Sequence, residues 1–212
     1  MILLTCNKCG GGGRGLDGNI CDCSAGNELR GNSFDYTKTD IGVIIPKDYI
    51  NIQFDDEFCT DKRLSQSLVN ILKNKTDKSL LILSEQSTGK AIFLYSYIKK
   101  CIEDGLKVCP MLTTLDIQTA SESIKKRVSL KYSDNIDIEA DELINNDLVV
   151  FRLKYPPSKY DIISLMEIVN LRTSRDKITI ITLSYGVKSF MEYYEKSIIS
   201  MIKDTVTIVG GK

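Results

Sequence analysis

Leu80-Leu81-Ile82-Leu83 is a run of apolar residues bounded by polar turns, and similar runs recur down the chain. They are Leu106-Lys-Val-Cys-Pro-Met-Leu112, Asp147-Leu-Val-Val-Phe151, Ile178-Thr-Ile-Ile-Thr182 and Thr205-Val-Thr-Ile-Val209, and each predicts a strand. Amphipathic stretches separate them. Leu64, Leu68, Ile71 and Leu72 share one helical face, as do Ile92, Phe93, Tyr95, Ile98 and Ile102. Residues 115–132 read as helical, residues 160–172 as a helix with Ile163, Met166, Ile168 and Val169 inward, and residues 190–202 as a last helix. Strands written as continuous apolar runs and alternating with helices predict a parallel sheet covered on both faces. The expected fold class is therefore α/β, a three-layer parallel-sheet nucleotide-domain core.

The first 60 residues follow different rules. Gly10 to Gly13 and Gly15 are too rich in glycine to pack a core, and residues 24–39 read as a linker by their Gly, Asn, Ser and Asp content. Residues 41–58 carry Ile44, Ile45, Tyr49, Phe54 and Phe58, but Pro46 argues against a central strand. This part predicts an extended tether packed on the main domain. The organisation expected is a module over 1–26, a linker and tether over 27–60, and the α/β domain over 61–212.

Composition narrows the chemistry. The chain has 212 residues, 42% hydrophobic and 26% charged, ordinary values for a globular protein. Lys+Arg and Asp+Glu both number 28, so no global field draws in nucleic acid or an anionic membrane. No apolar run reaches the roughly 18 residues that span a bilayer, and no secretory signal precedes the first cysteines; a cytoplasmic protein is expected. There is no histidine, which excludes imidazole catalysis and imidazole metal ligands.

Cys6-x-x-Cys9 and Cys21-x-Cys23 have the arrangement by which four thiolates surround one zinc ion, and so small a segment needs a staple to fold. The competing reading is a metal-free glycine-rich tail with loose thiols. Cys59, Cys101 and Cys109 lie in apolar settings and read as small core residues. After the strand at 80–83, Ser84-Glu-Gln-Ser87-Thr88-Gly89-Lys90-Ala91 leads into a helix, the setting of a phosphate-binding loop. Gly89 and Lys90 fit that motif, while Ser84 replaces its first glycine and Ala91 its magnesium-binding hydroxyl. Ser87, Thr88, Gly89, Lys90 and Ala91 are the candidate contacts for ATP or ADP; the alternative is a strand-to-helix turn that binds nothing. A working ATPase holds its metal with a carboxylate at the end of the third strand. Here that strand runs into Arg152-Leu153, and Asp147 and Glu142 sit at its wrong end. Lys125, Lys126, Arg127 and Lys131 could grip a single-stranded DNA backbone, with Tyr132 available for stacking, or form a solvated face.

Together these pieces resemble the DnaC/DnaI-type replicative helicase loaders and the related IstB transposition ATPases, a clade of AAA+ proteins. The cysteine pairs are similar to the zinc motif ahead of the family's ATPase core. Ile45-Pro46-Lys-Asp-Tyr49 with Phe54 and Phe58 resembles its junction, and Thr88-Gly89-Lys90 its Walker A loop. Gly105-Leu-Lys-Val resembles the start of its second strand, and Ile168-Val-Asn-Leu-Arg172 with residues 178–184 its fourth-strand region. The departures from the family fall at its chemistry: Arg152 and Leu153 replace the Walker B acids, Ser184 the sensor-1 asparagine, and Met201 the arginine finger. The resemblance implies an AAA+ core, with the lid subdomain lacking, behind a zinc-binding module. It implies a DNA-replication accessory protein, of phage or mobile-element type, that binds a replicative helicase or loader subunit as a pseudo-ATPase and could cap an oligomer. The rival readings are a weak ATPase of the loader or transposition type and a single-stranded-DNA-binding regulator.

Overall fold

The structure, a computed structural model, describes residues 44–50, 54, 61–74, 76–85, 89–133 and 136–210. Cys6, Cys9, Cys21 and Cys23, on which the zinc expectation rests, lie outside the described residues, as do Cys59, Ser87 and Thr88.

In chain order the elements are α1 (Lys47–Ile50), α2 (Lys62–Asn74), β1 (Leu80–Ser84), α3 (Lys90–Glu103), α4 (Asp116–Lys126), β2 (Leu130–Ser133), β3 (Ile136–Ile138), α5 (Ala140–Asn145), β4 (Leu148–Leu153), α6 (Lys159–Thr173), β5 (Ile178–Ser184), α7 (Val187–Tyr193), α8 (Lys196–Thr205) and β6 (Thr207–Gly210). Strands β4, β5, β1 and β6 pair in that order, all parallel. The expected strand at 106–112 lies along the free edge of β4 as two parallel bridges, Val108 to Leu148 and Leu112 to Phe151. Cys109 N donates to Leu148 O at 2.9 Å and Leu112 N to Val150 O at 2.8 Å. Pro110, between them, has no N–H, which confines this segment to an edge.

Alternation along each strand divides the core in two. Leu81, Leu83, Val149, Phe151, Leu153, Ile181 and Leu183 face one way, against residues of α4 to α8 such as Ile117, Leu143, Leu165, Val169, Phe190 and Ile202. Leu80, Ile82, Leu148, Val150 and Ile180 face the other way, against Leu64 and Leu68 of α2 and Phe93, Tyr97 and Ile98 of α3. This is the three-layer α/β arrangement the periodicity predicts. Ile44, Ile45 and Phe54 are buried in the second cluster, and Phe54 N donates to Ser96 Oγ at 2.9 Å. The tether does pack on the domain, although residues 47–50 form a turn of helix rather than extended chain.

Local chemistry sets several boundaries. Asp61 accepts from the amides of Arg63 and Leu64 at 2.9 and 3.1 Å, capping α2. Ser158, after Pro156-Pro157, accepts from Asp161 N and starts α6. The helix expected over 115–132 is shorter: Arg127 takes a left-handed conformation, φ 54°, closing α4, and the chain then turns into the antiparallel hairpin β2–β3. The helix expected over 190–202 is broken at Tyr194, which is extended and whose hydroxyl donates to Pro157 O at 2.6 Å. In α6, Ile162 and Leu165 are buried with Met166, Ile168 and Val169, while Ile163 is half-buried. Cys101 and Cys109 are buried thiols outside any disulfide, as their settings predict.

The largest fully buried side chain among the described residues is Arg172, at the end of α6. Its Nε donates to Thr179 Oγ1 at 2.9 Å. Its terminal nitrogens donate to the carbonyls of Leu143 (2.6 Å), Ile144 (3.3 Å), Asn146 (2.9 Å) and Ile178 (2.7 Å). Burial pulls its pKa down to about 10, so the guanidinium stays charged at neutral pH. It fastens the end of α6 to α5, to the turn after α5 and to the start of β5.

Candidate functional site

In open α/β sheets ligands bind beyond the carboxyl ends of the strands, and Gly89, Lys90 and Ala91, the described members of the predicted phosphate loop, lie there. β1 ends at Ser84 and α3 begins at Lys90. Gly89 between them has φ 76° and ψ 1°, a conformation a side chain would strain. Lys90 is 9% exposed. Its Nζ donates to Ser84 O and Ser84 Oγ, both at 2.7 Å, and to Glu85 O at 2.5 Å. Ser84, standing where the motif has glycine, thus supplies two of the acceptors that hold the lysine at the strand end. Ala91 offers only a methyl group.

Arg152 approaches the same place from β4. Its register partner is Thr182 of β5, which is level with Ile82 of β1. Leu148 and Val150 lie on the face packed against α3, and the two-residue period puts Arg152 on that face too. It is exposed where they are buried, and its charge acts on the Tyr95 phenol of α3. Burial pushes the Tyr95 phenol up, against the pull of the Arg152 charge. The Tyr95 ring lies 4.4 Å from that of Tyr49, centroid to centroid.

Between these residues is a cavity of about 1040 Å³. Lys90, Arg152 and Lys154 bring positive charge to it, and Thr113, Thr114, Thr182 and Ser184 bring hydroxyls. Tyr49, Ile92, Leu94 and Leu115 supply apolar wall. No described residue lining it is acidic. Sequence reasoning identified Lys90, Arg152 and Ser184 as strand-end residues but missed Tyr49, Tyr95, Thr113, Thr114 and Lys154. Thr113, Thr114 and Lys154 stand just beyond apolar runs, the one signal they offer, while Tyr49 and Tyr95 lie within α1 and α3.

An AAA+ site implies magnesium and a nucleotide, and the two fare differently here. Among the described residues no three acidic or thiol groups gather to hold a metal ion. Asp147 sits at the start of β4, accepting from Lys177 Nζ at 2.7 Å and Lys107 N at 2.9 Å, and Glu142 closes the capping box of α5. A divalent ion about 4 Å from the Arg152 guanidinium would meet roughly 8 kcal/mol of repulsion at an effective dielectric of about 20. The described residues do not fit magnesium. They do fit the phosphates of ATP or ADP, which the three cations would bind.

The remaining candidates lie elsewhere. Lys125 pairs with Glu167 at 3.4 Å and Lys126 with Glu122 at 2.8 Å, all on exposed side chains. Arg127 closes α4 and Lys131 lies exposed on β2. The two ion pairs favour the solvated-face reading over a grip on DNA. Met201, which the resemblance sets against the family's arginine finger, is half-buried in α8 against the first core cluster.

No family model matches the chain, and no curated protein sequence does. Solved structures match its shape over most of its length. The DnaC helicase loader superposes with a TM-score of 0.55 at 17% identity, over 78% of this chain and 99% of the loader. The chain has the fold of the DnaC-type AAA+ helicase loaders. DnaI superposes with a TM-score of 0.54 at 10% identity, over 82% of this chain and 97% of DnaI. AMPPCP-bound DnaA from Aquifex aeolicus gives 0.52 at 16% identity, over 77% of this chain and 51% of DnaA. Among the described residues no helix is long and apolar enough to cross a membrane.

Proposed function

We propose that this chain is a DNA-replication accessory protein of the helicase-loader kind, which binds a replicative helicase or another loader subunit and does not turn ATP over. The observation that carries the reading is Arg152. It stands at the end of β4, where an ATPase of this fold needs an acid on its metal, and it lines one cavity with Lys90. The altered residues reinforce one another. Ala91 has no hydroxyl for magnesium, Lys90 is bonded to the strand end, and Met201 is packed against the core.

A protein that keeps the frame and lacks the chemistry works through its surfaces. Without an arginine at 201 it supplies no finger to a neighbour's site, which suits a cap on an oligomer or a stoichiometric adaptor. The amino-terminal cysteine module, holding zinc on Cys6, Cys9, Cys21 and Cys23, is assigned to the helicase or loader contact. The likeness in fold to the DnaC helicase loader and to DnaI supports this kind of partner. Affinity capture with a hexameric replicative helicase tests the proposal, followed by a helicase-loading assay on forked DNA. Retention of the helicase and a changed loading rate are expected; neither binding nor an effect on loading would end the reading.

A further inference from the structure

We propose that the cavity beside Lys90 takes a nucleoside polyphosphate free of divalent metal, with Arg152 in the role that the metal would have had. The inference rests on the reading above, of a site that does not turn nucleotide over, and adds which form of the ligand it holds.

Charge is the first argument. Lys90, Arg152 and Lys154 line the cavity, and no described lining residue is acidic. A free nucleotide carries more negative charge than its magnesium complex, so three cations without a carboxylate select the free form. An acid-lined site would select the complex. Geometry is the second. A guanidinium is a planar fork that grips phosphate oxygens in pairs, as a lysine cannot. Arg152 reaches the cavity from β4 on the face packed against α3, where Tyr95, only 7% exposed, lies against Tyr49. Lys90 and Arg152, two of the three cations that would take over a metal's charge on the phosphates, are thus held by a helix and a strand rather than by a loop.

The size and lining of the cavity are the third argument. At about 1040 Å³ it exceeds what a phosphate chain alone requires. Ile92, Leu94 and Leu115 with the Tyr49 ring form an apolar flank beside the cations, suited to a base and its sugar. A phosphate oxygen has to displace the bonds from Lys90 to Ser84 and Glu85, so Arg152 carries most of the discrimination.

Isothermal titration of the full chain with ATP and with ADP, in EDTA and in excess magnesium chloride, tests the proposal. Binding is expected in EDTA and weakening of about threefold or more in magnesium. Arg152→Ala lowers the EDTA affinity about tenfold or more, the loss of one charge-assisted contact. Arg152→Lys, which keeps the charge without the fork, falls between. Inorganic tripolyphosphate binds about tenfold more weakly than ATP, and equal binding would overturn the nucleoside assignment. No binding in EDTA, tighter binding in magnesium, or an Arg152→Ala protein that binds like the parent would overturn the whole proposal. Unfolding midpoints of the variants, measured without ligand, separate a lost contact from a lost fold, and Lys154→Ala gives a second, independent loss of affinity. Helicase capture in the same EDTA buffer without nucleotide reports on the parent reading: if capture persists while the titrations fail, only this inference falls.

Discussion

Arg172→Lys is the substitution that should damage this fold out of proportion to its conservatism. The guanidinium is fully buried and places its donors on Thr179 Oγ1 and the carbonyls of Leu143, Ile144, Asn146 and Ile178. An ammonium is a single nitrogen with three donors and cannot reach both ends of that fork. At least two buried acceptors lose their charged partner, at about 1–3 kcal/mol each. The cost of burying the charge stays, so the expected loss is about 2–6 kcal/mol out of the 5–15 typical of a domain. With a urea dependence of about 2–3 kcal/mol per molar, the unfolding midpoint drops by roughly 0.7–3 M. Arg172→Met also loses the bonds but relieves the buried charge, and its midpoint is expected between those of the parent and Arg172→Lys. A Lys variant within about 0.3 M of the parent would refute the reasoning.

Gly210→Ala is expected to destabilise by about 1–3 kcal/mol in the same urea titration, because its Cβ would stand 2.1 Å from Val187 Cγ2 and 3.2 Å from Leu83 O. Asp147→Asn tests the start of β4. Burial raises the Asp147 pKa, but bonds from Lys177 and the Lys107 amide outweigh it and leave the carboxyl below its ordinary value. Asp147 therefore stabilises the fold above the unfolded pKa of about 3.9, and that contribution is lost as pH falls through the lower folded value. The variant should be weaker by about 1 kcal/mol at pH 7, and the gap should close in acid; a constant gap down to pH 2 would contradict the assignment.

How much of this was legible in the sequence depends on the kind of signal. The runs at Leu80, Leu148 and Ile178 announce buried parallel strands because both of their faces meet helices. Strand and helix order then locates Lys90, Arg152 and Ser184 at one edge without any structure. The hairpin Leu130–Ser133 with Ile136–Ile138 was not legible. Its strands are too short to show a period, and Arg127, a poor candidate for a left-handed cap, ends the helix before it. The break at Tyr194 carries neither glycine nor proline. Arg172 stands out only through the resemblance at 168–172 and not as a buried residue, since its burial depends on carbonyls of α5, of Asn146 after it and of Ile178 in β5. Tyr49 and Tyr95 meet at the site only because the tether folds back on α3, a contact between residues far apart in the chain.

The central claim is that the motor's frame persists here without turnover, and steady-state phosphate release tests it most directly. Parent and Lys90→Ala proteins are assayed with magnesium-ATP, alone and with a replicative helicase and single-stranded DNA. The account predicts the same background rate for both proteins in every mixture. Turnover by the parent that disappears in Lys90→Ala would contradict it.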